Sequence, residues 1–354
     1  MMKKVLIAMS GGVDSAVAAF LMKQQGYDCY GITMALFESN TADNINKKNC
    51  CSPEDAEHAE EAAGKMDIPF YIINLAEDFK HKVIDRFVNE YRRGATPNPC
   101  IDCNRFIKFE SLFNRAAQLG IDYIATGHYA RIEKVNDRYV LKKGLDNFKD
   151  QSYVLYSMTQ EQLAKTKFPL GELTKQKVRE IAADNNFANA EKPDSQDICF
   201  VSNGAYASFI KNYTGENFPS GNYVDKKGNV LGRHDGHIKY TVGQRKGLGI
   251  SLGKPMYVQQ KDAENNTVTL CDDKELYTDV LYAEDFNWIS GSGLKEPKQY
   301  NAKIRYTHKE APAAVIQENN TVKIIFDRPQ RAITKGQAVV LYDNDIVIGG
   351  GTIV

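Results

Sequence analysis

Ser10-Gly11-Gly12-Val13-Asp14-Ser15 stands directly after an apolar run at residues 5–9 and directly before an amphipathic stretch. A loop that leaves a strand and opens a helix exposes unpaired backbone N–H groups, and glycines let that backbone close on an anion, so the chemistry predicted here is phosphate binding. The loop lacks the spacing and the lysine of a Walker loop, and with them the usual Lys-plus-Mg²⁺ grip on a transferring γ-phosphate. A second reactive pattern is Cys100-Ile101-Asp102-Cys103, behind the rigid Thr96-Pro97-Asn98-Pro99 and at the start of a helix, where a thiol is inclined towards thiolate. Half a zinc site has the same spacing, but the chain holds no second C-x-x-C to complete it. A third thiol, Cys199, follows Asp194, Ser195, Gln196 and Asp197. Taken alone, between Ile198 and Phe200, it reads as a buried core residue.

These groups need elements to position them. Up to about residue 205, strand and helix signals alternate: strands at "KVLIAM", "DCYGITMAL", "IPFYIINL" and "DYIATGHYAR", helices at "DSAVAAFLMKQQG", "DFKHKVIDRFVNEYRRG" and "RFIKFESLFNRAAQLG". "SPEDAEHAEEAAGKMD" adds a helix with Ser52 as N-cap, Pro53 at the first helical position and Asp55 in the first turn, where an acid suits the dipole. This rhythm predicts an α/β fold, a doubly wound parallel sheet. Beyond residue 205 lies a Gly-rich region and then short alternating segments broken by "ENN", "DRPQ" and "DND" turns, which predict a small all-β barrel. The expected domains are 1–205 for the nucleotide-binding catalytic part, 206–280 for a small central part and 281–354 for a C-terminal β-barrel.

"SGGVDS" resembles the PP-loop of ATP pyrophosphatases. The whole chain resembles the tRNA-specific 2-thiouridylases, through "MSGGVDS", "TPNPCIDCNRFIKF", "ATGHYAR", "KDQSYVL", "SQDICF" and "YTVGQRKGLGI" in that order. The resemblance implies ATP-dependent 2-thiolation of the wobble uridine of tRNA, with ATP and Mg²⁺ as cofactors. Ala8, Met9, Ser10, Gly11, Gly12, Val13, Asp14, Ser15, Met34 and Gly127 would line the ATP site. Cys199 would carry a persulfide loaded by a cysteine desulfurase or a sulfur relay protein, with Cys103 as its partner nucleophile and a Cys103–Cys199 disulfide as the end state. For tRNA, it implies Asn98, Pro99, Cys100, His128, Lys149, Asp150, Gln151, Arg305, Tyr306 and Gln337. One departure stands out: the family commonly has an acid at position 100. Asp102 is an alternative acid, and Cys100, Cys103 and Cys199 together make the ligand count of a [4Fe–4S] cluster with one open iron.

Bulk properties are compatible with this reading. The 45 basic and 45 acidic residues balance, so a nucleic acid would be held by local patches, such as Arg245 and Lys246 in "VGQRKGLG", which equally reads as a solvated basic turn. No stretch approaches the ~20 apolar residues of a membrane span. Seven cysteines without a secretory signal point to a cytoplasmic location rather than a disulfide framework; Cys29, Cys50, Cys51 and Cys271 receive no role. A PP-loop ligase acting on a small metabolite would use "SGGVDS" but leave the thiols idle. A redox or iron–sulfur protein would use "CIDC" but leave the phosphate loop idle.

Overall fold

The computed structural model describes residues 2–37, 53–187, 198–201, 205–289 and 291–354. Ser52, Cys50, Cys51 and the segment from Asp194 to Asp197 lie outside the described residues. In chain order come β1 (Lys4–Ala8), α1 (Val13–Gln24), β2 (Asp28–Ala35), α2 (Pro53–Lys65), β3 (Phe70–Asn74) and α3 (Ala76–Phe79), which runs through a π-helical stretch at Lys80–Ile84 into α4 (Asp85–Arg92). Next are α5 (Pro99–Asp102), a π-helical stretch Cys103–Ser111, α6 (Leu112–Gln118), β4 (Tyr123–Thr126) and the hairpin β5 (Ala130–Val135) and β6 (Arg138–Lys143). A 3₁₀ turn at Ser152–Leu155, α7 (Gln160–Ala164), β7 (Thr166–Lys167) and α8 (Lys175–Asp184) follow. Then come α9 (Tyr206–Thr214), β8 (Gly221–Val224), β9 (Val230–His234), β10 (Tyr257–Asp262) and β11 (Thr267–Cys271). The last strands are β12 (Tyr277–Trp288), β13 (Lys298–Lys303), β14 (Ala311–Glu318), β15 (Thr321–Arg331), β16 (Ala338–Asp343) and β17 (Ile346–Ile353).

The chain divides into two compact units, one of residues 1–84, 100–202 and 344–348, the other of residues 85–99, 203–343 and 349–354. In the first, a five-stranded sheet runs β3-β2-β1-β4-β7 with every neighbouring pair parallel. Apolar β1 side chains Val5 and Ile7 pack with Val17 and Ala18 of α1, Ala62 and Ala63 of α2, and Val178 and Ala182 of α8. This is the expected doubly wound α/β fold: strands buried on both faces read as unbroken apolar runs. β3 is the edge of the sheet and leaves Tyr71 and Ile72 more than half exposed. Ile346 and Val347 of β17 pair with Lys142 and Leu141 of β6 in this unit.

In the second unit, α4 and α9 pack through Phe87 on Phe209 and Tyr91 stacked on Tyr206, and the Tyr213 hydroxyl donates to Asp85 Oδ1 at 2.6 Å. The helix α9 was not legible in the Gly-rich region. A four-stranded sheet β10-β11-β8-β9 closes around buried Tyr223, Val258, Val268 and Leu270. The six strands β12-β15-β14-β13-β16-β17 form a ring that β17 closes by pairing back to β12, the expected C-terminal barrel. Among the described residues no helix is long and apolar enough to cross a membrane.

Candidate active site

The nucleotide loop takes its shape from its own serine and from β2. Met9 N donates to Ile32 O at 2.7 Å and Met9 O accepts from Thr33 Oγ1 at 2.6 Å, which fixes where the chain leaves the sheet. Ser15 Oγ donates to Gly12 O at 2.9 Å and accepts from Ser10 N at 3.1 Å, folding the loop onto the first turn of α1. Ser15 is therefore a clasp. Gly11 has φ +71°, and a Cβ there would stand 2.2 Å from the Asp55 carbonyl oxygen; one on Gly127 would stand 2.9 Å from the Asp14 carbonyl carbon. Both glycines are required by close backbone approach, from α2 on one side and from the turn after β4 on the other. The N–H groups of the first turn of α1 have no carbonyl one turn back to bond, so they face the carboxyl edge of the sheet as anion donors. Ala8 and the buried Met34 lie at the same edge, at the ends of β1 and β2.

Asp14 is not a bare carboxylate. Lys175 Nζ lies 2.8 Å from each of its oxygens, and Tyr129 Oη donates to it at 2.7 Å. Lys175 is buried at the start of α8, where its backbone N donates to Asp146 Oδ2 at 2.9 Å. Sequence reasoning missed Lys175 and Tyr129, since in "ELTKQKVREI" the lysine looks like any cation on a solvated helix.

The two thiol segments are anchored by separate aromatic packings. Pro99 opens a helical run in which Cys100 is exposed and Cys103 half-buried. Further along this run, Phe109 packs on His128 and Phe168, ring centroids 6.1 Å away in each case, and His128 follows β4. Cys199 is half-buried at the corner of a tight turn closed by Val201 N donating to Ile198 O at 3.0 Å. The adjacent Phe200 is buried edge-on against Phe79 at 5.9 Å, and Phe79 meets Phe37, just past β2, at 5.4 Å. Ties from Asp78 to Ser111 and from Lys82 to Glu110, the latter 2.9 Å, bind the α3 region to the Cys103 run. By contrast, burial pushes the thiols of Cys29 and Cys271 up to about 11, so both are inert.

Among the described residues no group of three Cys, His, Asp or Glu side chains gathers as a metal site.

Many residues implied for tRNA bond to the protein itself. His128 is buried with Nδ1 2.6 Å from Thr126 Oγ1, and Gln151 Oε1 accepts from Tyr129 N at 3.0 Å. Asp150 accepts from Gly144 N and Ser152 N, each at 3.1 Å, and Lys149 N donates to Asp146 O at 3.0 Å. In the second unit Arg305 donates to Ala332 O at 2.6 Å, while Gln337 Nε2 donates to Thr96 O, also at 2.6 Å. With Lys261 Nζ on Ala95 O at 3.1 Å and Thr96 N on Lys335 O at 2.9 Å, Gln337 pins the segment that leads to Asn98 and Pro99. Tyr306 keeps exposed surface, as do Arg245 and Lys246.

Burial, reinforced by the Lys108 charge, holds the His128 imidazole well below the ordinary histidine range. The unfolded chain therefore takes up a proton below about pH 6.5 that the folded chain refuses, and stability falls as pH drops through that value. Thermal melts from pH 7.5 to 5 are expected to show a steeper loss for the wild type than for His128→Gln, which lacks the titrating group; parallel losses would contradict the assignment.

Residues 3–203 match the family model described as tRNA methyl transferase HUP domain, residues 207–272 the tRNA methyl transferase PRC-barrel domain, and residues 278–353 the aminomethyltransferase beta-barrel domain. The chain is 52% identical over 356 residues to the tRNA-specific 2-thiouridylase MnmA of Clostridioides difficile (strain 630), covering 100% of this chain and 98% of the relative. It is 51% identical over 355 residues to the protein of the same name from Acetivibrio thermocellus, covering 99% of each. Among solved structures, a 4-thiouridine synthetase–RNA complex with bound ATP aligns at TM-score 0.35 and 16% identity, over 56% of this chain and 45% of that one. The NMN synthetase of Francisella tularensis aligns at TM-score 0.35 and 17% identity, over 62% and 79%.

Proposed function

The chain belongs to the tRNA-specific 2-thiouridylase family, and from that premise we propose how its residues carry out thiolation. It is an ATP-dependent tRNA-uridine 2-sulfurtransferase. The first turn of α1 and the Ser10–Ser15 loop hold the β,γ-diphosphate of ATP. The C2 oxygen of the wobble uridine attacks the α-phosphorus and diphosphate leaves, so that a poor leaving group becomes AMP. Lys175 and Tyr129 keep Asp14 from repelling the phosphates. Mg²⁺, when bound with ATP, would screen the diphosphate charge.

Sulfur arrives as a persulfide on Cys199 from a cysteine desulfurase or relay protein. In one route its terminal sulfur attacks C2, AMP departs, and the Cys103 thiolate then attacks Cys199 Sγ, breaking the sulfur–sulfur bond and leaving the thiocarbonyl on the base. In the other, Cys103 attacks first and releases hydrosulfide, which displaces AMP. Both end with a Cys103–Cys199 disulfide that an external dithiol must reduce by two electrons before the next turnover. Cys100 takes the place of the family's usual acid, and Asp102 is the nearest carboxyl in sequence for proton handling.

The observation that best supports this reading is a pair of aromatic packings: Phe200 on Phe79, which meets Phe37 just past β2, and Phe109 on His128 just past β4, the two strands that flank β1 and its loop. Mass spectrometry of nucleosides from tRNA incubated with purified protein, ATP and a sulfur donor tests it. We expect 2-thiouridine at the wobble position, with diphosphate release stimulated by tRNA. Stimulation by small acids or amines and none by tRNA would instead identify a small-metabolite ligase.

A further inference from the structure

Phe148 is 97% exposed, at the tip of the loop between β6 and the 3₁₀ turn at Ser152, and Leu145 on the same loop is 57% exposed. One apolar side chain in water is ordinary. This loop, however, is built. Leu145 N donates to Gly171 O at 2.8 Å, Asp146 Oδ1 accepts from Phe148 N at 3.0 Å, and Asp150 Oδ1 accepts from Gly144 N at 3.1 Å. The other oxygen of Asp146 takes the backbone N of Lys175, whose ammonium grips Asp14 in the nucleotide loop. The loop's base is thus locked to the catalytic edge of the sheet while its aromatic tip is held in solvent, next in sequence to the cation of Lys149.

We propose that Phe148 is a stacking platform for an unpaired base of the tRNA, a positioning residue for the thiolation reaction; the proposal rests on the tRNA reading above. Single-stranded bases are recognised by splaying onto aromatic faces, with cations on the neighbouring phosphates. A wobble base drawn into an active site leaves its loop neighbours without a stacking partner, and a rigidly presented ring beside a lysine replaces one. None of the hydrogen bonds that shape the loop uses the Phe148 side chain, so substitutions there leave the fold intact.

At fixed salt, Phe148→Ala is expected to raise the Kd and the KM for tRNA about tenfold, with kcat at saturating tRNA close to wild type. Phe148→Trp should restore affinity, and its emission, read over the constant background of the single native tryptophan, should be quenched when tRNA is added. Wild-type Kd and KM in Phe148→Ala would overturn the proposal. So would a variant that loses sulfur delivered by a donor protein but not sulfur from inorganic sulfide, which would mark a protein-docking loop. If the wild type itself leaves tRNA unmodified, the tRNA reading falls along with this proposal; if the wild type thiolates and Phe148→Ala matches it, only the proposal falls.

Discussion

Cys199→Ala is expected to make no detectable thiolated tRNA from desulfurase-supplied sulfur, a loss of about 10³-fold or more, while tRNA-stimulated release of diphosphate continues. The two halves separate because the proposed nucleotide site is the first turn of α1, whereas Cys199 sits on a distinct turn whose anchor is Phe200 against Phe79. Cys103→Ala should fail equally, with one difference: its Cys199 still accepts persulfide and holds it. Because the two thiols act as a unit, the double variant should be no worse than either single one. Thiolation by Cys199→Ala from the same donor, measured by nucleoside mass spectrometry, would remove the persulfide assignment.

Asp14→Ala strikes a different part of the site. It strands the Lys175 ammonium, whose side chain is only 10% exposed, without its carboxylate. Breaking a buried pair by removing one partner costs about 3–5 kcal/mol, and since Asp14 is 31% exposed, about 2–3 kcal/mol is the expected loss here. Asp14 is also the second residue of α1, so loosening its tie to Lys175 and Tyr129 disturbs the turn proposed to hold the diphosphate, and ATP turnover should fall together with stability. Asp14→Ala combined with Lys175→Met removes both charges and should recover part of the stability but not the activity. Chemical denaturation of the wild type and the two variants decides this; a single variant within about 0.5 kcal/mol of wild type would show that the pair is not coupled to folding.

The phosphate loop was legible because its requirements are local: a strand end, two glycines and a serine able to bond across the turn. Strand β1, helix α1 and the alternating barrel strands followed from periodicity for the same reason. Lys175 was not legible, because its partner Asp14 lies far away in sequence and nothing in its own helix marks it as buried. β3 has the composition of a buried strand, yet the sheet ends with it, and strand order is set by topology rather than by composition. Helix α9 was hidden because its Tyr206 and Phe209 are justified only by Tyr91 and Phe87 of α4. The residues implied for tRNA also have internal partners that sequence does not show: His128, Asp150, Arg305 and Gln337 each bond within the protein. That the Cys103 and Cys199 sulfurs approach each other is a requirement of the proposed chemistry, and no local pattern in either segment encodes it.

The most direct test of sulfur transfer by these two thiols is peptide mapping of the enzyme after a single turnover. Enzyme persulfidated at Cys199 is mixed with tRNA and ATP in the absence of reductant, quenched with an alkylating agent and digested. The account predicts one Cys103–Cys199 disulfide for each 2-thiouridine formed. Thiolated tRNA accompanied by alkylated, unlinked Cys103 and Cys199 would contradict it.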